Sequence, residues 1–443
     1  MRFRLFGWFR HRPATQPLAR EGSPAERHAL ALRYGYNGMS FFTLYRGWEY
    51  FHPAEGEGFI AFERHNGVAL ACGDPVCAPT EQEAVLEAFR AFCSGEKLTP
   101  AFVGATPRFA ETCRASGWKM LKIGEEPLFD LKSYAPHGYS AKKMRSDARR
   151  AARDGMVVEV IPSGERPPLG VAREIEEVQA AWQATRNVNP LSFTLRLAPL
   201  SFAADKLIAI ARCNGRIEGF ASAIPVVGRK GLYLEAMIRR PDARGGTSES
   251  LFLAVTDTCQ ARGVELLATG LSPLRNVADQ PHGHRLVGRA LQFTFRHLNF
   301  FYKFRPLEHF KAKFGPTEWE DSFLIYRPGR LLRVSLALLF AFTPGRFGPV
   351  TAALSRFRKR TAGGQRRLSP GHAAGMAATL ALAAGYSALA VQNPVLFDPF
   401  RILLAVSTFP VREAGEQARS HLVVDSVLLL AAGGWYARSA GRD

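Results

Sequence analysis

The chain has 443 residues, 47% hydrophobic and 11% aromatic, which excludes a disordered protein and leaves room for two or three domains with their own cores. Its 58 Lys and Arg against 39 Asp and Glu give a formal net charge of +19, which points to a polyanionic partner, either nucleic acid or an anionic membrane surface. The cysteines (Cys72, Cys77, Cys93, Cys113, Cys213, Cys259) are scattered, with no Cys-x-x-Cys pair and no histidine at ligand spacing, so a zinc site is not expected and reduced thiols in a cytoplasmic domain are the simplest account. His282-Gly-His284 forms a small cluster in a polar loop, and no metal is assigned to it.

In chain order, residues 1–29 form a basic, aromatic arm. Its start, Met1 to Arg12, interleaves cations with Phe3, Phe6, Trp8 and Phe9 but has no apolar core of a secretory signal. It reads either as an interfacial anchor on an anionic leaflet or as an unstructured basic arm. Residues 30–153 make a first α/β half. A β-rich run from Gly58 turns at Asn66-Gly67 and continues as a second strand toward Pro75-Val76. Thr80 is expected to cap a helix over Glu81–Cys93 with Ala84, Val85, Phe89 and Phe92 on one face. Residues 141–153 are strongly basic, and at helical spacing Lys142, Arg145 and Arg149 share a face. Such a run is either solvated or a track for RNA phosphates.

Residues 154–328 repeat the plan. The run from Leu207 turns at Asn214-Gly215 and ends at Pro225-Val226, and helices are expected over Glu174–Thr185 and Thr247–Arg262. A strand over Gly231–Met237 carries Glu235 and leads into the loop Arg239–Thr247. That loop stands where acetyltransferases hold a pyrophosphate on backbone amides, but it lacks the glycine spacing of a coenzyme A loop. Residues 301–319 set Lys303, Arg305, Lys311 and Lys313 among Phe301, Tyr302, Phe304, Phe310, Phe314 and Trp319, a composition suited to holding a phosphate or carboxylate against an apolar wall. An amphipathic core helix with solvated lysines is the plainer account of the same spacing.

From 329 to 443 the chain is a hydrophobic, helical tail. Leu331–Phe342 is apolar except for Arg333 and Ser335, and a basic block follows. Gly371–Val391, with only His372 to titrate, is long enough to span ~30 Å of hydrocarbon, and the preceding basic block would hold that end in the cytoplasm. Val395–Val411 and Leu422–Tyr436 are further apolar stretches. Membrane spans and a soluble helical appendix both remain open.

Two motifs carry a family resemblance. Met237, Pro241, Asp242, Ala243, Gly246 and Glu249, and then Phe310, Lys311, Lys313, Phe314, Pro316 and Trp319, fall at the spacing of the phosphatidylglycerol lysyltransferase (aminoacyl-phosphatidylglycerol synthase) catalytic domain. Gly73-Asp74-Pro75-Val76 and Lys122-Ile-Gly-Glu-Glu126 are also similar to that family, and the likeness runs from 30 to 328. It departs where the family has Asp, here Glu235, and where it has Arg, here Ile238. The multi-span flippase that precedes the domain in full-length members is not seen. The resemblance implies an α/β fold of two tandem GNAT (acetyltransferase)-like halves sharing a cleft. It also implies a cofactor-free transfer of an amino acid from aminoacyl-tRNA to the hydroxyl of an anionic phospholipid, at the cytoplasmic face of the membrane. In that reading Glu235, Arg239, Arg240, Lys311 and Lys313 are the catalytic candidates. Lys142, Arg145, Arg149, Tyr302, Lys303, Phe304, Arg305 and Phe314 are the substrate-binding ones. The competing functions are an acyl-coenzyme A-dependent N-acyltransferase and a non-catalytic module binding tRNA or anionic membrane. The amino acid, the acceptor lipid and the oligomeric state are left open.

Overall fold

Both Asn-Gly pairs reverse the chain as their chemistry requires. Asn66 and Gly67 have φ of 50° and 75°, and Asn214 and Gly215 have 50° and 80°, the paired left-handed conformations of a tight hairpin that Asn and Gly tolerate best. The computed structural model describes residues 19–136, 138–185, 198–273, 275–277, 280 and 310–342. All of these fall within a unit ending at Phe342.

The strands are β1 (Ala19–Arg20), β2 (Glu49–Pro53), β3 (Gly58–His65), β4 (Val68–Cys72), β5 (Val76–Cys77), β6 (Thr99–Ala105), β7 (Lys119–Asp130), β8 (Met156–Ile161), β9 (Leu207–Cys213), β10 (Arg216–Val226), β11 (Gly231–Arg239), β12 (Leu266–Ala268), β13 (Ser272–Pro273) and β14 (Glu318–Tyr326). The helices are α1 (Pro24–Tyr34), α2 (Gly38–Phe42), α3 (Gln82–Gly95), α4 (Pro107–Ala115), α5 (Gly138–Arg153), α6 (Leu169–Ala184), α7 (Thr247–Ala261) and α8 (Leu331–Phe342). One open sheet runs β1-β2-β3-β4-β6-β14-β7-β12-β11-β10-β9-β8, with β5 on β3 and β13 on β7.

The same succession appears on each side of the β7–β12 junction. An antiparallel hairpin is followed by a helix and then by a strand parallel to the last one. In the first half this is β3, β4, α3 and β6, with β4 and β6 parallel. In the second half it is β9, β10, β11, α7 and β12, with β11 and β12 parallel. The parallel crossovers bury both faces of their strands, which is why β4 (Val-Ala-Leu-Ala-Cys) is apolar throughout and wholly buried.

Several local expectations are corrected. Thr80 caps nothing. It sits in a 3-10 turn over Pro79–Glu81, with α3 starting at Gln82 and no side-chain cap bond. Ala84 is exposed, and the buried face of α3 is Gln82, Val85, Leu86, Phe89 and Cys93. Each fully buried Phe or Leu on such a face contributes about 1.5–3 kcal/mol. α6 begins five residues before Glu174, directly after Pro168, because its first turn is solvent-facing and carries no apolar period; Leu169 is 81% exposed. The second strand of the first hairpin stops at Cys72, and Val76 belongs to the separate strand β5.

Among the described residues no helix is long and apolar enough to cross a membrane. Gly371–Val391, Val395–Val411, Leu422–Tyr436 and the arm 1–12 lie outside the described residues.

Candidate functional site

β10 and β11 pair with a bulge: Ser222 opposes Ala236 and Ala223 opposes Leu234, leaving Glu235 as the extra residue. The bulge switches the strand's faces. Leu232 and Leu234 pack with Leu251 and Phe252 of α7, whereas Ala236 and Ile238 pack with Ile175 and Val178 of α6. Ile238 is therefore a core residue and offers no ligand contact.

The Glu235 carboxylate is turned inward, 2% exposed, against Lys206, which is fully buried. Its Oε1 accepts from Lys206 Nζ at 2.6 Å and Ser222 Oγ at 2.7 Å, and its Oε2 accepts from the Tyr45 hydroxyl. Lys206 also donates to Ala198 O at 2.8 Å. Burial lowers the Lys206 amine below its ordinary range, with Glu235 pulling the other way. The Tyr45 phenol is pushed well up by burial and by the adjacent carboxylate. Glu235 thus has all its close partners supplied by the protein. It anchors a closed network and does not face substrate as a free base.

One ring away lies a second pair. Tyr233, on the same strand, is packed between Gly38 and Gly270, where a Cβ would come within 2.1 Å and 2.7 Å of the tyrosine. Gly270 (φ 82°) is gripped from both ends: its N–H donates to Glu126 at 3.0 Å, and its carbonyl accepts from Lys311 Nζ at 2.6 Å. Lys311 donates also to Leu271 O at 3.0 Å. Burial raises Glu126 to about 7, helped by Glu320 and opposed by Lys311 and Arg229. Burial lowers Lys311 to about 8 against the pull of Glu126. A carboxyl and an amine that share one glycine in a half-buried site are each shifted toward neutrality. The hydroxyls of Thr269 and Ser272, flanking the same turn, are buried without partners among the described residues.

Glu126 and Tyr233 open onto a pocket of ≈ 30 Å³, also lined by Asn37, Thr106, Glu320 and Asp321. That is room for one water-sized group. Its carboxylates are partly committed: Arg229 Nη1 donates to both oxygens of Glu320 at 3.0 Å, and Asp321 pairs with the buried Lys122 at 2.6 Å. Asp74 holds the pocket's rim by accepting from Thr106 N at 2.9 Å and Thr106 Oγ1 at 2.6 Å. A second void of ≈ 210 Å³, walled by Arg27, His28, Tyr50 and Phe202, lies on the far side of Tyr45 from Tyr233 along a run of ring contacts.

Asp74 makes one prediction. Burial raises its folded pKa to about 6 from an ordinary 3.8, with its Thr106 hydrogen bonds opposing. Between those values the folded state binds the extra proton, so stability falls as pH rises through the window, by about 3 kcal/mol. Asp74→Asn is expected to keep Thr106 in place and remove that slope, measured as Tm against pH from 4 to 7.

The remaining candidates separate cleanly. Lys311 stands behind the pocket wall, donating to the carbonyl of Leu271, which lines it. Lys313 instead pairs with Glu249 of α7 at 2.7 Å, over the rings of Phe310 and Phe314. Phe314 is core, 2% exposed and stacked on Phe252 at 4.1 Å, so it is not an open wall. Arg239 is exposed and reaches Ala243 O at 3.4 Å, while Arg240 donates to Ile217 O and to Glu177. Both brace the loop after β11, and neither lines the pocket. In that loop the amides of Arg240, Ala243 and Thr247 donate to backbone carbonyls and the amide of Arg244 to the Glu218 carboxylate. On α5, Lys142 and Arg149 are exposed and Arg145 half-buried, while Lys143 and Arg150 pair with Asp147. Tyr302, Lys303, Phe304, Arg305 and the His282/His284 pair lie outside the described residues.

Comparison with known proteins bears on the whole arrangement. A family model described as the C-terminal part of phosphatidylglycerol lysyltransferase matches residues 28–326. The lysylphosphatidylglycerol biosynthesis bifunctional protein LysX of Rhodococcus opacus is 27% identical over 330 residues, 72% of this chain and 29% of that protein. A phosphatidylglycerol lysyltransferase of Staphylococcus xylosus is 23% identical over 310 residues, 69% of this chain and 36% of that protein. The chain thus spans about a third of these relatives' own length. Among solved structures, L-PGS from Bacillus licheniformis superposes with a TM-score of 0.62 at 22% identity, covering 73% of this chain and 97% of that one. The C-terminal domain of a lysylphosphatidylglycerol synthetase from Agrobacterium fabrum gives 0.61 at 24% identity, covering 73% and 99%. These two likenesses speak for the fold.

Proposed function

Because the chain belongs to the family of phosphatidylglycerol lysyltransferase C-terminal domains, we propose that it transfers an aminoacyl group from a charged tRNA to the hydroxyl of an anionic phospholipid. The observation that carries this reading is that Glu126 and Lys311, each on a family-like motif, grip the two ends of the Gly270 residue beside the pocket that Glu126 lines. The two halves of the sheet are read as GNAT-like units, with the pocket between strands of both. The basic face of α5 is read as the track for the RNA backbone. The arm and the tail are read as membrane contacts on the cytoplasmic side only before residue 19 and after residue 342, because α8 packs Val334, Ala337 and Ala341 into the first-half core.

In this mechanism the acceptor oxygen attacks the ester carbonyl carbon. The ester bond to the tRNA ribose breaks, and the hydroxyl proton passes through Glu126 to the departing ribose oxygen. One ester replaces another, so no oxidant and no nucleotide triphosphate is needed. Glu126, lifted toward neutral pH, has the basicity the step requires. Lys311, fixed by two carbonyls, supplies the positive charge beside the developing oxyanion. Tyr233 holds both to the same glycine turn. The Glu235–Lys206–Tyr45 network fixes the strand from which Tyr233 projects.

The test is transfer of labelled amino acid from charged tRNA to phosphatidylglycerol liposomes by the purified chain, read as an RNase-sensitive, base-labile lipid product. Tight tRNA binding without lipid product would refute the reading. Within that assay, Lys311→Ala is expected to lose about 10²–10³ in kcat, the usual cost of one preorganised charge donor. Lys313→Ala should stay within about fivefold of wild type, because its partner is Glu249.

A further inference from the structure

Arg108 combines a buried Nε, unpartnered among the described residues, with a guanidinium stacked on an aromatic ring. It sits in the first turn of α4, two residues after Thr106 at the pocket's rim. Its guanidinium lies flat on the Tyr36 ring, 3.5 Å from the centroid. Its Nε is buried without a partner among the described residues. No hydrogen bond or ion pair to the Arg108 guanidinium is seen within them. Buried N–H groups are rarely left in that state, and an orphan beside a pocket points to something bound there.

The surroundings fix this group in place. Tyr36 precedes Asn37, which lines the pocket, and Arg229 approaches the same ring at 5.4 Å. Gly228 N–H donates to Gly35 O at 2.8 Å, tying the Arg229 turn to the Tyr36 turn. Two guanidiniums therefore bracket one aromatic ring at the pocket's edge. Arg229 is already spent on Glu320, whereas Arg108 is not. The nearby Asp74 carboxylate senses Arg108 but is satisfied by Thr106. A planar guanidinium held by stacking, whose Nη groups make no hydrogen bond among the described residues, is the usual seat for a phosphate or carboxylate.

We infer that Arg108, stacked on Tyr36, binds the phosphodiester of the acceptor lipid's headgroup and so presents its hydroxyl to the pocket holding Glu126. This rests on the transferase reading for the identity of the anion. The seat explains why a cation stands free at the rim of a pocket whose interior carboxylates are Glu126, Glu320 and Asp321. Arg108 is a binding and orienting residue. No bond is made or broken on it.

The experiment separates this claim from the transferase reading. Glycerophosphoglycerol, the headgroup without acyl chains, is titrated calorimetrically into the full chain without tRNA. Wild type should bind it, Arg108→Ala and Arg108→Lys should bind at least about tenfold more weakly, and Tyr36→Phe should bind within about twofold of wild type. Glycerol, lacking the phosphate, should bind none of them. In turnover, Arg108→Ala should raise KM for phosphatidylglycerol about tenfold while kcat stays within about threefold and KM for charged tRNA is unchanged. Equal headgroup affinity in wild type and Arg108→Ala, undetectable binding by wild type, or a KM change confined to tRNA would each overturn the assignment. Arg108-dependent headgroup binding by a chain that transfers nothing would keep the seat and sink the transferase.

Discussion

Glu126→Gln is expected to lower transfer by about 10²–10⁴-fold while leaving the fold intact, the range lost when a positioned acid–base group is removed. The substitution is nearly isosteric, and the glutamine oxygen can still accept from Gly270 N–H, which now holds Glu126 at 3.0 Å. Burial already favours the neutral form of this side chain, so the variant should be no less stable than wild type near neutral pH. The pH profile provides the sharper reading. Activity should rise as Glu126 loses its proton around 7 and fall as Lys311 loses its own around 8, giving a narrow bell whose limbs belong to the pair. In Glu126→Gln the acidic limb should vanish from the residual rate. A variant with wild-type kcat and an unchanged acidic limb would remove Glu126 from the mechanism.

The second large effect is structural. Lys206→Met leaves the Glu235 carboxylate buried without its cation, and breaking such a pair costs about 3–5 kcal/mol. The loss should appear as a lower urea midpoint at unchanged slope, since the same surface is exposed on unfolding. The double variant Lys206→Met, Glu235→Leu should recover most of it, because the desolvation of both charges disappears together. If Lys206→Met alone unfolds at the wild-type midpoint, the network is not an ion pair in solution.

How far the sequence discloses this site depends on how local each signal is. The Asn-Gly hairpins and the α7 helix follow from neighbouring residues, and both are legible. Glu235 stands out on its strand, but its partners Lys206 and Tyr45 come from a turn before β9 and from the end of a short helix, with no pattern linking them. Nor is the bulge in β11 legible, although one extra residue there redirects every side chain beyond it. Lys311 lies in a conspicuous cation–aromatic run, yet the same run offers Lys313 and Phe314, which the fold spends on Glu249 and Phe252. Glu126 was visible only as part of a family-like stretch. Its burial, and so its chemistry, arises where β7 meets β14 and the Gly270 turn. Asp74 is similar: its motif is recognisable, but its grip on Thr106 depends on β4 and β6 lying side by side.

β14 has a consequence for how the chain is made. It is synthesised after the entire second half, yet it inserts between β6 and β7 of the first. A nascent first half emerging from the ribosome therefore carries a vacant slot in its sheet, with two unpaired strand edges facing each other, until the last strand arrives. Such long-range closure is slow and leaves sticky intermediates, so the halves cannot mature one after the other during translation. Glu320 and Asp321 arrive on that same strand. The pocket is thus completed only once β14 is in place, and a chain cut short before Glu318 is expected to aggregate rather than persist as an inactive first half.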